Sequence, residues 1–328
     1  MPQNRFKAEL PYFYLPMKTI WTYLTDYLKD HFNFKLYFFT TALIGSLLWF
    51  NFSFDFEDSF VDTIQNSWLR IGAFVLLQGI PYYLVCLFVY FFTEQKSFFK
   101  NKHFWIISLL GFLIIGFDRG SAFHVDLIEK ISTTYSFVFL SKVLGNFFAL
   151  ITIVLPLWVL YHFYLKKDKK SFYGLYGKEV NLSPYWVMLL IMVPLIYLAS
   201  LQEDFTDTYP IYFNSSGSLL IEKEGFSQGL IVGIFELSYA FSFFVVELLY
   251  RGFLIFALVK YLGKEVVLPM AVTYCVIHFG KPLGEAISSY FGGYLLGLIA
   301  LKTENIYGGI MVHVGIALLM ELFAFMQY

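Results

Sequence analysis

The chain carries little charge. Asp, Glu, Lys and Arg make up 14% of its 328 residues, against about 25% in soluble domains. That scarcity excludes an ordinary water-facing surface. The net charge is −1, so no global field favours nucleic acid. Cysteine is nearly absent. Cys86 and Cys275 both sit inside apolar runs and read as small buried hydrophobes, not as a disulfide or a zinc knuckle. No HExxH occurs, so any metal ligands must come from separate helices. No long Gly/Ser/Pro linker and no obvious repeat divides the chain. The opening MPQNRFKAEL lacks the apolar core and cleavage site of a signal peptide, which assigns membrane insertion to the first true span.

What the chain has in quantity is apolar surface. Hydrophobic residues make up 58%, 40 residues are phenylalanine, and the mean hydropathy is +0.64. This composition predicts an all-α, polytopic membrane bundle in contact with lipid. Apolar runs near 36–54, 72–92, 103–117, 144–165, 185–201, 229–249, 265–284, 286–301 and 307–326 predict eight or nine transmembrane helices, the short 103–117 run deciding the count. Ser183-Pro184 reads as an N-cap and first-turn pair. With alternating topology, segments 1–35, 93–102, 166–184, 250–264 and 302–306 hold 17 of the 23 Lys and Arg, "KKDKK" at 166–170 among them. By the positive-inside rule the N-terminus is cytoplasmic, and the expected location is a bacterial inner membrane. A boundary near 170–184 separates an N-terminal transmembrane region, 1–180, from a C-terminal core, 181–328, that holds the polar intramembrane residues.

Four features stand out in that core. Glu247 and Arg251 lie one helical turn apart in "VVELLYRGFL", the favourable order for an ion pair. Arg251 either pairs there or snorkels to the interface. Gly252 and Gly263 suit close packing and helix termination. His278 lies in "TYCVIHFGKPLGE", where Gly280, Pro282 and Gly284 predict a broken helix, tolerated where it lines a cavity or is buried in protein. Lys281 and Glu285 follow and read as an external turn. His313, Ala317 and Glu321 recur every four residues and share one helix face. Gly293 and Gly297 form a small-xxx-small seam for tight helix contact. In straight, untilted helices His278 and His313 would differ by about 10 Å in depth, so their meeting requires tilt, a kink at Pro282 or shifted helix ends. Two histidines with one or two carboxylates suit either a Zn²⁺ that activates water or direct general-base chemistry.

Together these residues resemble the CPBP family of intramembrane proteases, which includes CAAX-prenyl proteases and bacteriocin-processing proteins. The family signature is Glu-Glu-x-x-x-Arg, then Phe-x-x-x-His, then His-x-x-x-Asn. Here it reads Val246-Glu247-x-x-x-Arg251, Tyr274 to His278, and His313 to Ala317, over roughly residues 180–328. The resemblance implies peptide hydrolysis in or at the membrane. Glu247, His278 and His313 would form the catalytic core, and the same three the zinc ligands if a metal is used. Arg251, Glu285 and Glu321 would support them, and a membrane or lipidated peptide would be the substrate. Two positions depart from the pattern. The glutamate expected to activate water is Val246, and the asparagine expected to hold the oxyanion is Ala317. Losing one oxyanion donor typically costs about 10²–10³ in rate, and Glu247, Glu285 or Glu321 would have to supply the missing carboxylate. The substitutions favour a rival reading, a non-catalytic scaffold that binds a membrane peptide or a partner protein. The two histidines weigh against it. A transporter ranks last, since no inverted repeat or paired broken helices are evident.

Overall fold

In hydrocarbon a backbone must satisfy its own hydrogen bonds, which forces helices on a chain this apolar. The computed structural model describes residues 14–165, 171–175 and 181–328, and every regular element among them is helical. MPQNRFKAEL, KKDKK and part of the expected 170–184 boundary lie outside the described residues. The N-terminal elements are α1 (Tyr14–His31), α2 (Phe34–Phe54), α3 (Ser67–Phe92), α4 (Lys102–Gly120), α5 (Phe123–Glu129), α6 (Phe137–Ala149) and α7 (Leu155–Leu160). Then come α8 (Ser183–Ala199), α9 (Glu203–Thr208), α10 (Gly217–Glu224), α11 (Gln228–Glu247), α12 (Val259–Leu262), α13 (Val267–Val276), α14 (Leu283–Thr303) and α15 (Tyr307–Phe325).

Six helical stretches are long and apolar enough to cross a bilayer, or seven if α8 and Glu203–Ser215, bent by 98°, count as one. Eight or nine were expected. The difference lies in the C-terminal core. The run 229–249 and the part of 265–284 up to Val276 belong to one 49-residue stretch, Gln228–Val276, joined through a π-helical segment at Leu248–Ile255 and the short α12. The 286–301 run becomes α14, where Glu285, two serines and Lys302 dilute the apolar residues. The short 103–117 run is rescued by extension, since Lys102–Glu129 qualifies as a span. Trp49, Leu190, Ile191 and Leu237 are all exposed, as a surface that faces lipid requires. The molecule is an integral membrane protein.

Local signals set the helix ends. Asn33, Asn66 and Asn101 each accept an N–H at the start of α2, α3 and α4, as N-caps do. At α8 the helix already includes Ser183, its N-cap is Leu182 with no side-chain cap, and Asn181 Oδ1 accepts the Ser183 N–H just ahead of it. Gly263, at φ +59°, ends α12.

The buried centre of the bundle is α13, every residue of which is buried. It packs between α3 and α14. The glycine seam of α14 makes that contact close. A Cβ on Gly293 would sit 2.6 Å from the Tyr274 ring, and one on Gly297 would strike Met270. The chain breaks between Val276 and Leu283, where the Gly/Pro pattern predicted it.

Candidate intramembrane site

The site begins with a carboxylate that α11 carries into the bundle. Glu247 Oε1 lies 2.8 Å from Arg251 Nη1 and 2.9 Å from His313 Nδ1. Both Glu247 and Arg251 are fully buried. Arg251 therefore does not snorkel: one helical turn keeps it beside its acid, and its guanidinium carbon stacks 3.8 Å above the Tyr274 ring. That ring face offsets part of the desolvation cost of the cation. The contact to Glu247 is an ion pair by distance but off the line of a hydrogen bond, and Arg251 Nε and Nη2 have no hydrogen-bond partner among the described residues. Gly309 of α15 makes room for the acid. A Cβ there would lie 2.5 Å from Glu247 Oε2. The sequence reading passed over Gly309, although the doubled glycine of "IYGGIMVH" marks such an approach.

Protonation follows from partners. With Arg251 beside it, Glu247 is a carboxylate and only accepts. His313 must then donate from Nδ1, which leaves Nε2 to accept the Tyr274 hydroxyl at 3.1 Å. His278 Nδ1 lies 2.9 Å from the Tyr274 carbonyl oxygen. A carbonyl only accepts, so Nδ1 carries the proton and His278 Nε2 holds a free lone pair. His278 is half-buried and His313 is 9% exposed, so the cluster opens on the His278 side.

The two histidines meet because His278 is not in a straight helix. It sits in the turn after α13, and the N-terminal half holds that turn. Asn51 of α2 donates to the Phe279 carbonyl at 3.1 Å and accepts the Glu57 N–H at 3.0 Å. Glu57 in turn pairs with Arg119 at 2.7 Å. Burial pushes the Glu57 carboxyl above the usual carboxylate range, and Arg119 pulls against that shift. Gly280 lets Asp58 close over the turn, since a Cβ there would lie 2.8 Å from Asp58 Oδ1. Asn51 and Arg119 gave a signal, a polar residue at the end of an apolar run, but nothing in the sequence named their partner.

Glu285 and Glu321 do not join the histidines. Glu321 is buried and accepts the N–H groups of Ile211 and Tyr212 at 2.7 and 3.2 Å. It stands about 12 Å along α15 from His313. Glu285 accepts the Tyr209 hydroxyl at 2.9 Å, and Lys281 lies 5.0 Å from the centre of the Tyr209 ring. Glu236 of α11 comes beside Glu321. Lys281 and Glu285, read from sequence as an external turn, are thus part of a second polar layer. Val246 packs against the apolar core, and Ala317 is 3% exposed, so neither position adds a polar group.

The zinc reading fits poorly. Among the described residues, no three His, Cys, Asp or Glu side chains are grouped to hold a metal. His313 has both nitrogens engaged, and a guanidinium stands against Glu247. A cation there would displace Tyr274 and face Arg251. A separate cavity of about 290 Å³, lined in part by Thr19, Tyr23, Asn181, Tyr185 and Lys302, shares no residue with the cluster.

Fold and site together define a polytopic membrane protein with a histidine–carboxylate cluster inside its bundle, open only on the His278 side. Residues 228–319 match the family model described as type II CAAX prenyl endopeptidase, Rce1-like. That stretch contains Glu247, Arg251, Tyr274, His278, His313 and Ala317, and the match agrees with the CPBP resemblance carried by the motif order. No curated protein and no solved structure matches the chain.

Proposed function

We propose that this chain is an integral membrane endopeptidase of the CAAX-protease type, acting on a membrane-borne or lipidated peptide, with its N-terminus on the cytoplasmic side of a bacterial inner membrane. One observation carries the reading. His278 keeps an open lone pair at the half-exposed edge of a cluster whose other histidine is fully engaged. In this role His278 Nε2 accepts a hydrogen bond from the attacking water and orients it. The Glu247–His313 pair stores the proton the water gives up, the carboxylate steadying the imidazolium that results. No metal enters this scheme.

The test is cleavage by purified protein of a panel of prenylated and unmodified membrane peptides, beside His278→Ala. Loss of the group that orients the attacking water predicts a fall of about 10²-fold in kcat. Cleavage that survives the substitution sinks the assignment. A second reading, a scaffold that binds such a peptide without cutting it, is favoured by the apolar side chains at Val246 and Ala317. It predicts peptide binding with no turnover, and a partner that stays bound through purification.

A further inference from the structure

His313 has no ring edge left for water or substrate. Nδ1 is on Glu247 at 2.9 Å and Nε2 is on the Tyr274 hydroxyl at 3.1 Å. A proton bound for His313 must therefore arrive through that hydroxyl. The arrangement carboxylate, histidine, hydroxyl is the hydrogen-bonded chain that marks an activated hydroxyl in general: a base within reach of the hydroxyl, and a third group that orients the base. The signature that the chain resembles has phenylalanine at this position, so the hydroxyl is this chain's own feature.

We infer that Tyr274 is a further catalytic residue, the proton relay between the attacking water and His313. The inference rests on the hydrolytic reading above. Its steps balance. Water gives a proton to Tyr274 Oη while Tyr274 gives its own to His313 Nε2. The hydroxide adds to the scissile carbonyl carbon. As the C–N bond breaks, His313 returns the proton through Tyr274 to the departing amine nitrogen. The products are one carboxylic acid and one amine, and every protein group ends as it began. Charge alternates in space during the transfer itself, and the intermediate that follows holds a neutral Tyr274, the His313 imidazolium and the substrate oxyanion. Arg251, 3.8 Å above the Tyr274 ring, favours negative charge on the phenol, and Glu247 favours positive charge on His313. The rings of Tyr274 and His278 lie 4.8 Å apart, centre to centre, and in the proposed relay the attacking water stands between them. The relay thereby supplies a proton path where Val246 offers none.

Tyr274→Phe removes the hydroxyl and keeps the ring under Arg251. The expected result is a fall in kcat of about 10²-fold or more, with KM changed less than about threefold because no ground-state contact to the peptide is lost. A second variant replaces Tyr274 by 3,5-difluorotyrosine, which keeps the shape and makes the phenol more acidic. It should move the pH profile of kcat toward acid, which a merely structural tyrosine would not do. Wild-type cleavage with unchanged kcat in Tyr274→Phe, or an unmoved profile in the fluorinated protein, overturns the relay and leaves the hydrolytic reading standing. Absence of any cleavage by the wild-type protein, with a peptide shown to bind, overturns the hydrolytic reading and the relay together.

Discussion

Two polar layers cross this bundle on the same pair of helices. The inner one joins Glu247, Arg251, Tyr274 and His313, with His278 at its edge. The outer one joins Glu236, Glu285 and Glu321 with Lys281, Tyr209 and Tyr239. Both bury carboxylates, yet they use them differently. In the inner layer side chain meets side chain, and the pairing leaves a lone pair exposed on His278. In the outer layer the acids hold other groups in place: Glu321 takes two backbone amides of the segment after α9, and Glu285 takes a tyrosine hydroxyl. Buried acids are therefore not by themselves evidence of chemistry here. What separates the layers is where the free acceptor stands: in the inner layer it is an imidazole nitrogen at the half-buried edge, His278 Nε2, and in the outer layer it is the Glu236 carboxyl, neither of whose buried oxygens has a hydrogen-bond partner among the described residues.

The largest test of this contrast is Arg251→Leu. It leaves Glu247 buried without its cation, and breaking a buried pair typically costs about 3–5 kcal/mol. Thermal unfolding in detergent should show that loss. Glu247→Gln combined with Arg251→Leu should recover most of it, since a buried pair replaced as a unit is often neutral. A single variant as stable as the parent would mean that the inner layer is not closed on itself as described.

Gly309→Ala comes next. Its Cβ would lie 2.5 Å from Glu247 Oε2, and overpacking of this kind typically costs about 1–3 kcal/mol. The displaced acid would also release His313, so peptide cleavage should fall further than the melting temperature suggests. Equal cleavage with lowered stability would show that Gly309 serves packing alone.

The sequence made the inner layer partly readable. Spacing brought out Glu247 with Arg251, and the lone histidines followed from their apolar surroundings. The broken helix after Val276 was readable from Gly280, Pro282 and Gly284, and the α14 seam from Gly293 and Gly297. The meeting of the histidines was not readable, because it depends on His278 lying beyond the end of α13 and on Asn51, more than two hundred residues earlier, gripping that turn. Arg251 was ambiguous for a related reason. A cation near a helix end pairs or snorkels according to what packs over it, and the Tyr274 ring that decides the matter comes from another helix. The span count slipped where α11 runs on through π-helical turns, since hydropathy alone cannot tell a buried connection from a cytoplasmic loop. Glu236 went unremarked because a single acid in a span has a meaning only through its neighbour, Glu321.

The smallest expected effect comes from the outer layer, and it decides what that layer is for. Glu321→Gln keeps the length of the side chain and one acceptor oxygen, but its amide nitrogen cannot accept the second N–H. One of the bonds to Ile211 and Tyr212 is lost, which costs about 1 kcal/mol. Because those amides belong to the segment after α9, the loss should be local. Hydrogen exchange at residues 211 and 212 should quicken, while the rest of the bundle and the rate of peptide cleavage stay as they were. If cleavage instead falls as far as in His278→Ala, Glu321 is not a latch. The two layers would then form one proton-conducting site, with Ala317 and Tyr239 lying along the path between them rather than separating them.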